Sequence, residues 1–303
     1  MSAGVCIMNK SAIALAADSA VTIGAHLAIH NSANKLFSLS KYSPVGAVVY
    51  SSAEFMKIPI ETILKMFKTD LFNIAYDSLD EYVERFLVFL ADNSALFLFH
   101  ENEPDYIKRV YIDLLNGLFG DYQQQLRNKI SAVQRELTNE EQLVISNRAV
   151  DQTLGFVDSF PNLNNFNEKE YIKNQYGDQI RTDICTKYKW IPRERVDDLI
   201  NKICEYFDKE HFREGFVGLA VAGFGNKDIF PRMIHLHLAG FINGKVRYAV
   251  KEKVSITADR QGTITPFAQT DVMQTFLFGI NSSLLERINQ EIPRQIQGCL
   301  NGI

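Results

Sequence analysis

Two residues near the start of the chain have the makings of a hydrolytic site. Ser2 directly follows the initiator methionine, and Asp18 closes an almost wholly apolar run, "AIALAAD". Removal of Met1 is chemically expected when the next side chain is as small as serine. It would leave Ser2 with a free α-amino group beside its own hydroxyl, a nucleophile and a base on one residue. An α-amine has a pKa of about 7.7 to 8.0, so near neutral pH a useful fraction is free to take the hydroxyl proton. Such a pair still needs orienting and activating, which a nearby ammonium and a buried carboxylate can supply.

Other chemistry-bearing residues carry weaker patterns. His235 and His237 alternate with Ile234, Leu236 and Leu238, so both point to one face of a strand, a geometry able to bind metal. No third ligand stands at a nearby spacing, and satisfied structural histidines are the expectation. Cys6, Cys185, Cys204 and Cys299 form no CxxC pair and read as reduced core thiols. "VAGFG" before Asn226 has too few glycines for a phosphate loop and reads as a strand end and turn.

The elements that must position Ser2 and Asp18 are strands. Residues 3–8 and 12–18 are short apolar runs around Asn9-Lys10-Ser11, a hairpin of buried strands, and "KLFSLS" and "VGAVVYSS" repeat the form around "KYSP". From Ala53 to Phe67 apolar residues recur three or four apart, the period of a helix. From about Thr69 to Glu214 helical periodicity dominates. One stripe from Tyr106 to Val133 predicts a long helix despite Gly117 and Gly120, a second helix follows Pro192, and "DSFPNLNNFNEKE" between them is a polar loop. Strands resume with "FVGLAVAGFG" and with two alternating runs joined by Asn243-Gly244, a strong hairpin signal. Thr270-Asp271 is positioned to cap a helix carrying residues through Ile288. The order strands, helices, strands, helix predicts an α+β fold of packed layers.

Composition narrows the classes of function. With 303 residues, 46% of them hydrophobic and 22% charged, the chain can bury a substantial core. A net charge of −4 with mixed signs gives no footprint for nucleic acid or an anionic membrane. The greasy stretch "FLVFLADNSALFLFH" is interrupted by Asp92 and Asn93 before it could span a bilayer, and residues 1–21 lack the basic start of a signal peptide. A cytoplasmic protein is the expectation.

The opening segment resembles a known family. "AIALAADSAVTIG", then "NKLF", then "VGAVVYSSAEF" look like the start of proteasome β subunits and the bacterial HslV peptidase, which are N-terminal-nucleophile (Ntn) hydrolases. Ser2 stands sixteen positions before Asp18, as in the family, and Lys35 follows Asp18 by seventeen, one residue longer than the family's spacing. The resemblance implies a four-layer αββα sandwich with Ser2 as nucleophile. Lys35 would lower the pKa of its amine and hydroxyl, Asp18 would hold Lys35 charged and aimed, and the backbone N–H near Ser51 would face the oxyanion. Loss of one oxyanion donor costs enzymes about 2.7 to 4 kcal/mol. It further implies amide hydrolysis on peptide or protein substrates through an acyl-enzyme, no cofactor, self-association and a possible unfoldase partner. The chain departs from the family in having serine for threonine and "YSSAEF" for a glycine-rich turn, and no Asp-x-x-Ser element is placed.

The division expected is residues 1–68 and 215–303 as two parts of one sandwich around a helical insertion at 69–214, serving as lid, substrate collector or oligomerisation arm. Each residue also has a plainer reading. Ser2 is a common second residue, Asp18 can accept bonds within a strand-end turn, and Lys35 can be a solvated edge lysine. A non-catalytic structural subunit and a small-molecule amide hydrolase are the competing functions.

Overall fold

The computed structural model describes residues 3–19, 21–23, 28–30, 34–99, 101–213, 215–268, 271, 273, 275–276 and 279–300. Strands β1 (Ala3–Asn9) and β2 (Ile13–Ala17) form the first hairpin, closed at its turn by Asn9 Oδ1, which accepts from the amides of Ser11 and Ala12 at 2.8 Å each. β3 (Val21–Ile23) and β4 (Ala28–His30) pair with each other, and β5 (Leu36–Ser38) pairs with β6 (Val45–Ser51). After helix α1 (Ile60–Leu71) the chain is helical through α2 (Leu79–Asp92), α3 (Ser94–Phe97), α4 (Glu103–Val133), α5 (Asn139–Asp158), α6 (Lys169–Lys187) and α7 (Val196–Tyr206). Four long strands follow, β9 (Val217–Gly223), β10 (Arg232–Ile242), β11 (Lys245–Ser255) and β12 (Gly262–Ala268), and then helix α8 (Ser282–Leu300). Between β6 and α1 lies a two-residue-per-strand hairpin, β7 (Glu54–Phe55) and β8 (Ile58–Pro59).

Besides the β3-β4 and β7-β8 pairs, the strands build two larger antiparallel sheets, one of order β12-β1-β2 and one of order β11-β10-β9-β6-β5. Their facing sides make one core: Cys6 and Met8 of β1 and Phe267 of β12 lie against Val48 and Tyr50 of β6, Ala220 and Ala222 of β9 and Met233 of β10. The other side of the five-stranded sheet, with Val49, Leu219, Val221, Leu236 and Leu238, is covered by helices α1, α2 and α4. Every residue of β9 is buried, as its unbroken apolar sequence requires of a strand covered on both faces. The outer side of the three-stranded sheet is open: Ile7 and Ile264, paired directly, are 46% and 45% exposed, and Ala14 and Ala16 beside them are exposed too.

The helical block shares the core of the five-stranded sheet without interruption, from Val49 and Leu219 through Tyr106 and Leu114 to Ile145, Ile184 and Ile203. Polar clamps reinforce it. Glu103, at the start of α4, accepts from the hydroxyls of Tyr171 and Tyr176 on α6 at 2.7 Å each and from the amide of Asn243 in the β10–β11 turn. That turn has Asn243 and Gly244 both at positive φ (53° and 70°), the conformation that makes Asn-Gly a hairpin signal. Buried Arg247 of β11 donates to the carbonyls of Tyr206, Phe207, Lys209 and His211, satisfying acceptors at the C-terminus of α7 that would otherwise be orphaned.

Several sequence expectations are corrected. The helix expected from Ala53 starts at Ile60; Phe55 and Met56 sit in the small hairpin, where Met56 and Lys57 take positive φ. The polar loop expected between two helices is a short break at 159–168 flanked by two further helices, α5 and α6. The start of α5 was legible, because Thr138 and Glu141 form a capping box, each side chain accepting from the other's amide (3.2 and 3.0 Å). Downstream, α8 starts anew after Asn281, whose side chain accepts from the amide of Ser283 at 2.9 Å. The cap proposed at Thr270-Asp271 falls partly outside the described residues.

Candidate functional site

Asp18 and Lys35 meet as an ion pair, Lys35 Nζ donating to Asp18 Oδ1 at 2.9 Å. Lys35 is buried (7% exposed) and Asp18 partly so (32%). Strand ends hold both. Asp18 lies just past β2, where its amide donates to the Ala3 carbonyl (2.9 Å) and its Oδ1 accepts from the Ala3 amide (2.8 Å). Lys35 precedes β5, and its carbonyl accepts from the amide of Val49 in β6 (2.9 Å). The pair therefore links the edge of one sheet to the edge of the other, so its geometry depends on how the sheets stack.

Ser2 lies outside the described residues. Ala3, its neighbour in the chain, is the residue to which the Asp18 carboxylate is bonded. Gly4 fixes where this strand end lies: a Cβ there would sit 3.2 Å from Val48 Cγ1 and 3.5 Å from Phe267. The beginning of β1, the end of β2, the start of β5 and the end of β6 thus share one end of the sandwich. Ser51 closes β6 at that end, exposed and with φ of 68°. Beyond it the Ser52 amide donates to the Phe216 carbonyl (3.1 Å) and the Ser52 hydroxyl to the Glu54 carbonyl (2.7 Å). Ala268, opposite Ala3 at the end of β12, is also at positive φ (62°). Left-handed conformations at non-glycine residues cost of order 1 kcal/mol or more and persist only where the surroundings impose them. Two of them flank the place where β1 begins.

A second polar cluster lies beneath this one, between the sheets. His235 and His237 do share a strand face, and both approach the Tyr50 hydroxyl through Nε2, His237 at 2.7 Å. Tyr50 reaches them because Gly218, its cross-strand partner on β9, has no side chain: a Cβ there would lie 2.2 Å from the Tyr50 ring. The ring also runs parallel to that of Phe267 at 6.3 Å. Burial pushes the His235 imidazole down to about 4 and that of His237 to about 3, with the Lys251 charge adding to both, and it pushes the Tyr50 phenol up. Sequence spacing found the two histidines but not Tyr50, which lies 185 residues from His235.

The remaining candidates divide. Cys6 and Cys204 are buried, and desolvation raises their thiols to about 12 and about 11, as suits inert core residues. Cys185 is exposed on α6, so it is not the core thiol expected, and the side chain of Cys299 lies outside the described residues. The glycines of "VAGFG" serve close backbone approach: a Cβ on Gly223 would lie 2.1 Å from the Pro44 carbonyl oxygen and one on Gly225 2.3 Å from Ser78 Cα. Among the described residues no cluster of three or more His, Cys, Asp or Glu could hold a metal, and no helix is long and apolar enough to cross a membrane. A cleft of about 350 Å³, lined by Leu15, residues 36–38 and residues 43–47, runs along β5 and the start of β6, and none of Ala3, Asp18, Lys35 or Ser51 lines it. No family model, curated protein or solved structure matches the chain.

Proposed function

We propose that the chain is an N-terminal-nucleophile amide hydrolase of the proteasome-like kind. Ser2, freed by removal of Met1, attacks an amide carbonyl while its own α-amine takes the hydroxyl proton. The observation that carries this reading is the ion pair between buried Lys35 and partly exposed Asp18, whose carboxylate is bonded to the amide of the residue that follows Ser2. The Lys35 ammonium lowers the pKa of amine and hydroxyl, and Asp18 keeps that ammonium charged and aimed. The acyl-enzyme forms as the amide C–N bond breaks, with the α-ammonium returning its proton to the leaving amine, and water then releases the acid. The amide at Ser51, on a turn already held at positive φ, supplies the oxyanion donor.

The substrate class in this proposal is a peptide, laid in the cleft beside the β5 edge, whose volume lies within the range of small-ligand pockets. The fold would be completed as a four-layer αββα sandwich. The open apolar side of the three-stranded sheet and the exposed Leu284, Leu285 and Ile292 of α8 are the two surfaces whose union makes the fourth layer. Copies of the chain would then self-associate around the sites.

A second reading, a non-catalytic structural subunit, is favoured by the same hydrogen bond that supports the first. Asp18 bonded to the Ala3 amide closes the open end of the β1–β2 hairpin without any chemistry. Intact mass before and after a peptide epoxyketone separates the two, since the adduct needs the hydroxyl and the free amine of one residue. Loss of Met1, an adduct on Ser2 and hydrolysis of fluorogenic peptides abolished by Ser2→Ala are expected. A retained Met1 or a blocked amine leaves only the structural role.

A further inference from the structure

We propose that Tyr50, His235 and His237 form a binding site for one divalent transition-metal ion of the zinc or copper class. The three donors come from two strands that are not neighbours, yet both histidine Nε2 atoms lie within hydrogen-bond reach of one phenol oxygen. The sheet is built for this meeting. Tyr50, Gly218 and His237 stand in one row across β6, β9 and β10, and Val48, Ala220 and His235 in the next, so only small side chains separate the tyrosine from the histidines.

Hydrogen bonding alone leaves the cluster in an uneven state. The phenol has one proton to give and two neutral imidazoles to meet, so one ring must donate from Nε2 while the other accepts there. A dication in place of the phenol proton would let both rings use Nε2 lone pairs, each with its proton on Nδ1. Imidazole and phenolate suit zinc and copper, and three protein ligands leave a position for water. Metal-donor bonds of roughly 2.0 to 2.1 Å in a tetrahedral shell put donors about 3.3 Å apart, so Tyr50 Oη must withdraw from both Nε2 atoms, by roughly half an ångström from His237 and by more from His235. Both histidines are half-buried, so the cluster is not sealed from solvent. The walls are the Phe216 ring, 4.2 Å from His237, and the Phe267 ring, 5.4 Å from His235. Lys251, whose charge reaches both histidines, is itself paired with Glu210 at 2.7 Å. This site uses none of Ser2, Asp18 or Lys35, so it stands or falls independently of the hydrolase reading.

The reaction balances simply: one dication enters and the Tyr50 phenol releases one proton as its oxygen binds the ion, whereas imidazoles, mostly unprotonated at neutral pH, bind through a lone pair and release none. The test is titration calorimetry of the tag-free full chain with zinc or copper(II) salts, in two buffers of different ionisation enthalpy at neutral pH. One ion per chain and about one proton released per ion are expected. Copper should also give a visible phenolate-to-metal charge-transfer band. Tyr50→Phe should abolish the band and the proton release, and should weaken binding by more than the roughly 10- to 100-fold typical of losing an outer-shell partner. The proposal is overturned if the wild-type chain binds no ion beyond what a His235→Gln/His237→Gln variant binds. It is equally overturned if Tyr50→Phe, checked for its melting transition, binds as tightly and with the same proton release. The wild-type proton count and copper band decide the matter even where a variant does not fold.

Discussion

The two polar clusters at one end of the sandwich are built on opposite physical terms. Asp18 and Lys35 are charged, sit at strand ends and keep the carboxylate a third exposed, so solvent shares in stabilising the charges. Tyr50, His235 and His237 are neutral, sit within strands and face the space between the sheets, where burial suppresses any charge. A charge is kept beside the start of β1, and uncharged hydrogen bonding is kept where the sheets close. The difference teaches that this sandwich holds charge at an edge shared with solvent and neutral polar groups between its sheets.

Acid is expected to break the comparison most strongly. The histidines titrate near 6.5 in the unfolded chain but only at about 4 and about 3 when folded, so the unfolded state binds more protons between these values. Their contribution to stability is therefore whole above about pH 6.5 and is lost as pH falls toward the folded values. The loss should be on the order of a few kcal/mol. Urea midpoints at pH 7 and pH 4.5 measure it, and a His235→Asn/His237→Asn variant should show a flatter acid limb. An unchanged limb would mean that the cluster is not buried neutral as described.

Removing a charge probes the other cluster. Asp18→Ala removes the carboxylate bonded to the buried Lys35 ammonium and is expected to cost about 3 kcal/mol or less, below the 3 to 5 typical of fully buried pairs because Asp18 is partly solvated. In denaturant unfolding Lys35→Met should cost less than Asp18→Ala, and the reverse order would reassign which partner solvent supports. Gly218→Ala is next, at about 1 to 3 kcal/mol, because the new Cβ would collide with the Tyr50 ring while leaving Asp18 and Lys35 untouched. The smallest expected effect is from Ser51→Gly, which relieves a positive φ and should stabilise by about 1 kcal/mol or less in a thermal melt. Under the hydrolase reading Lys35→Met should abolish peptide cleavage whereas Gly218→Ala should only weaken it.

How legible each cluster was follows from chain distance. Asp18 and Lys35 are near in sequence, one ending an apolar run and the other preceding an apolar pair, and their meeting was foreseeable from the family that the opening segment resembles. The histidines announced a shared face through simple alternation, but their partner comes from a strand on the far side of β9. Nothing in the spacing of Tyr50 marks it, and the glycine that makes room for it resembles any other glycine in an apolar strand. The same limit explains the helices. The stripe of α4 was plain across its 31 residues, whereas α6 has buried positions only at Ile172, Ile180 and Ile184, too few for its period to stand out.

Local pattern alone determined the strand hairpins, the Asn243-Gly244 turn and the long helix, because each follows from side-chain period or turn chemistry within a few tens of residues. Only the packed molecule decided that the helical block shares the core of the sheet, that the ion pair joins two sheet edges, and that one tyrosine serves two histidines. Those facts depend on which strands become neighbours and which faces meet. That is settled by burying apolar surface across the whole chain, and no short stretch encodes it.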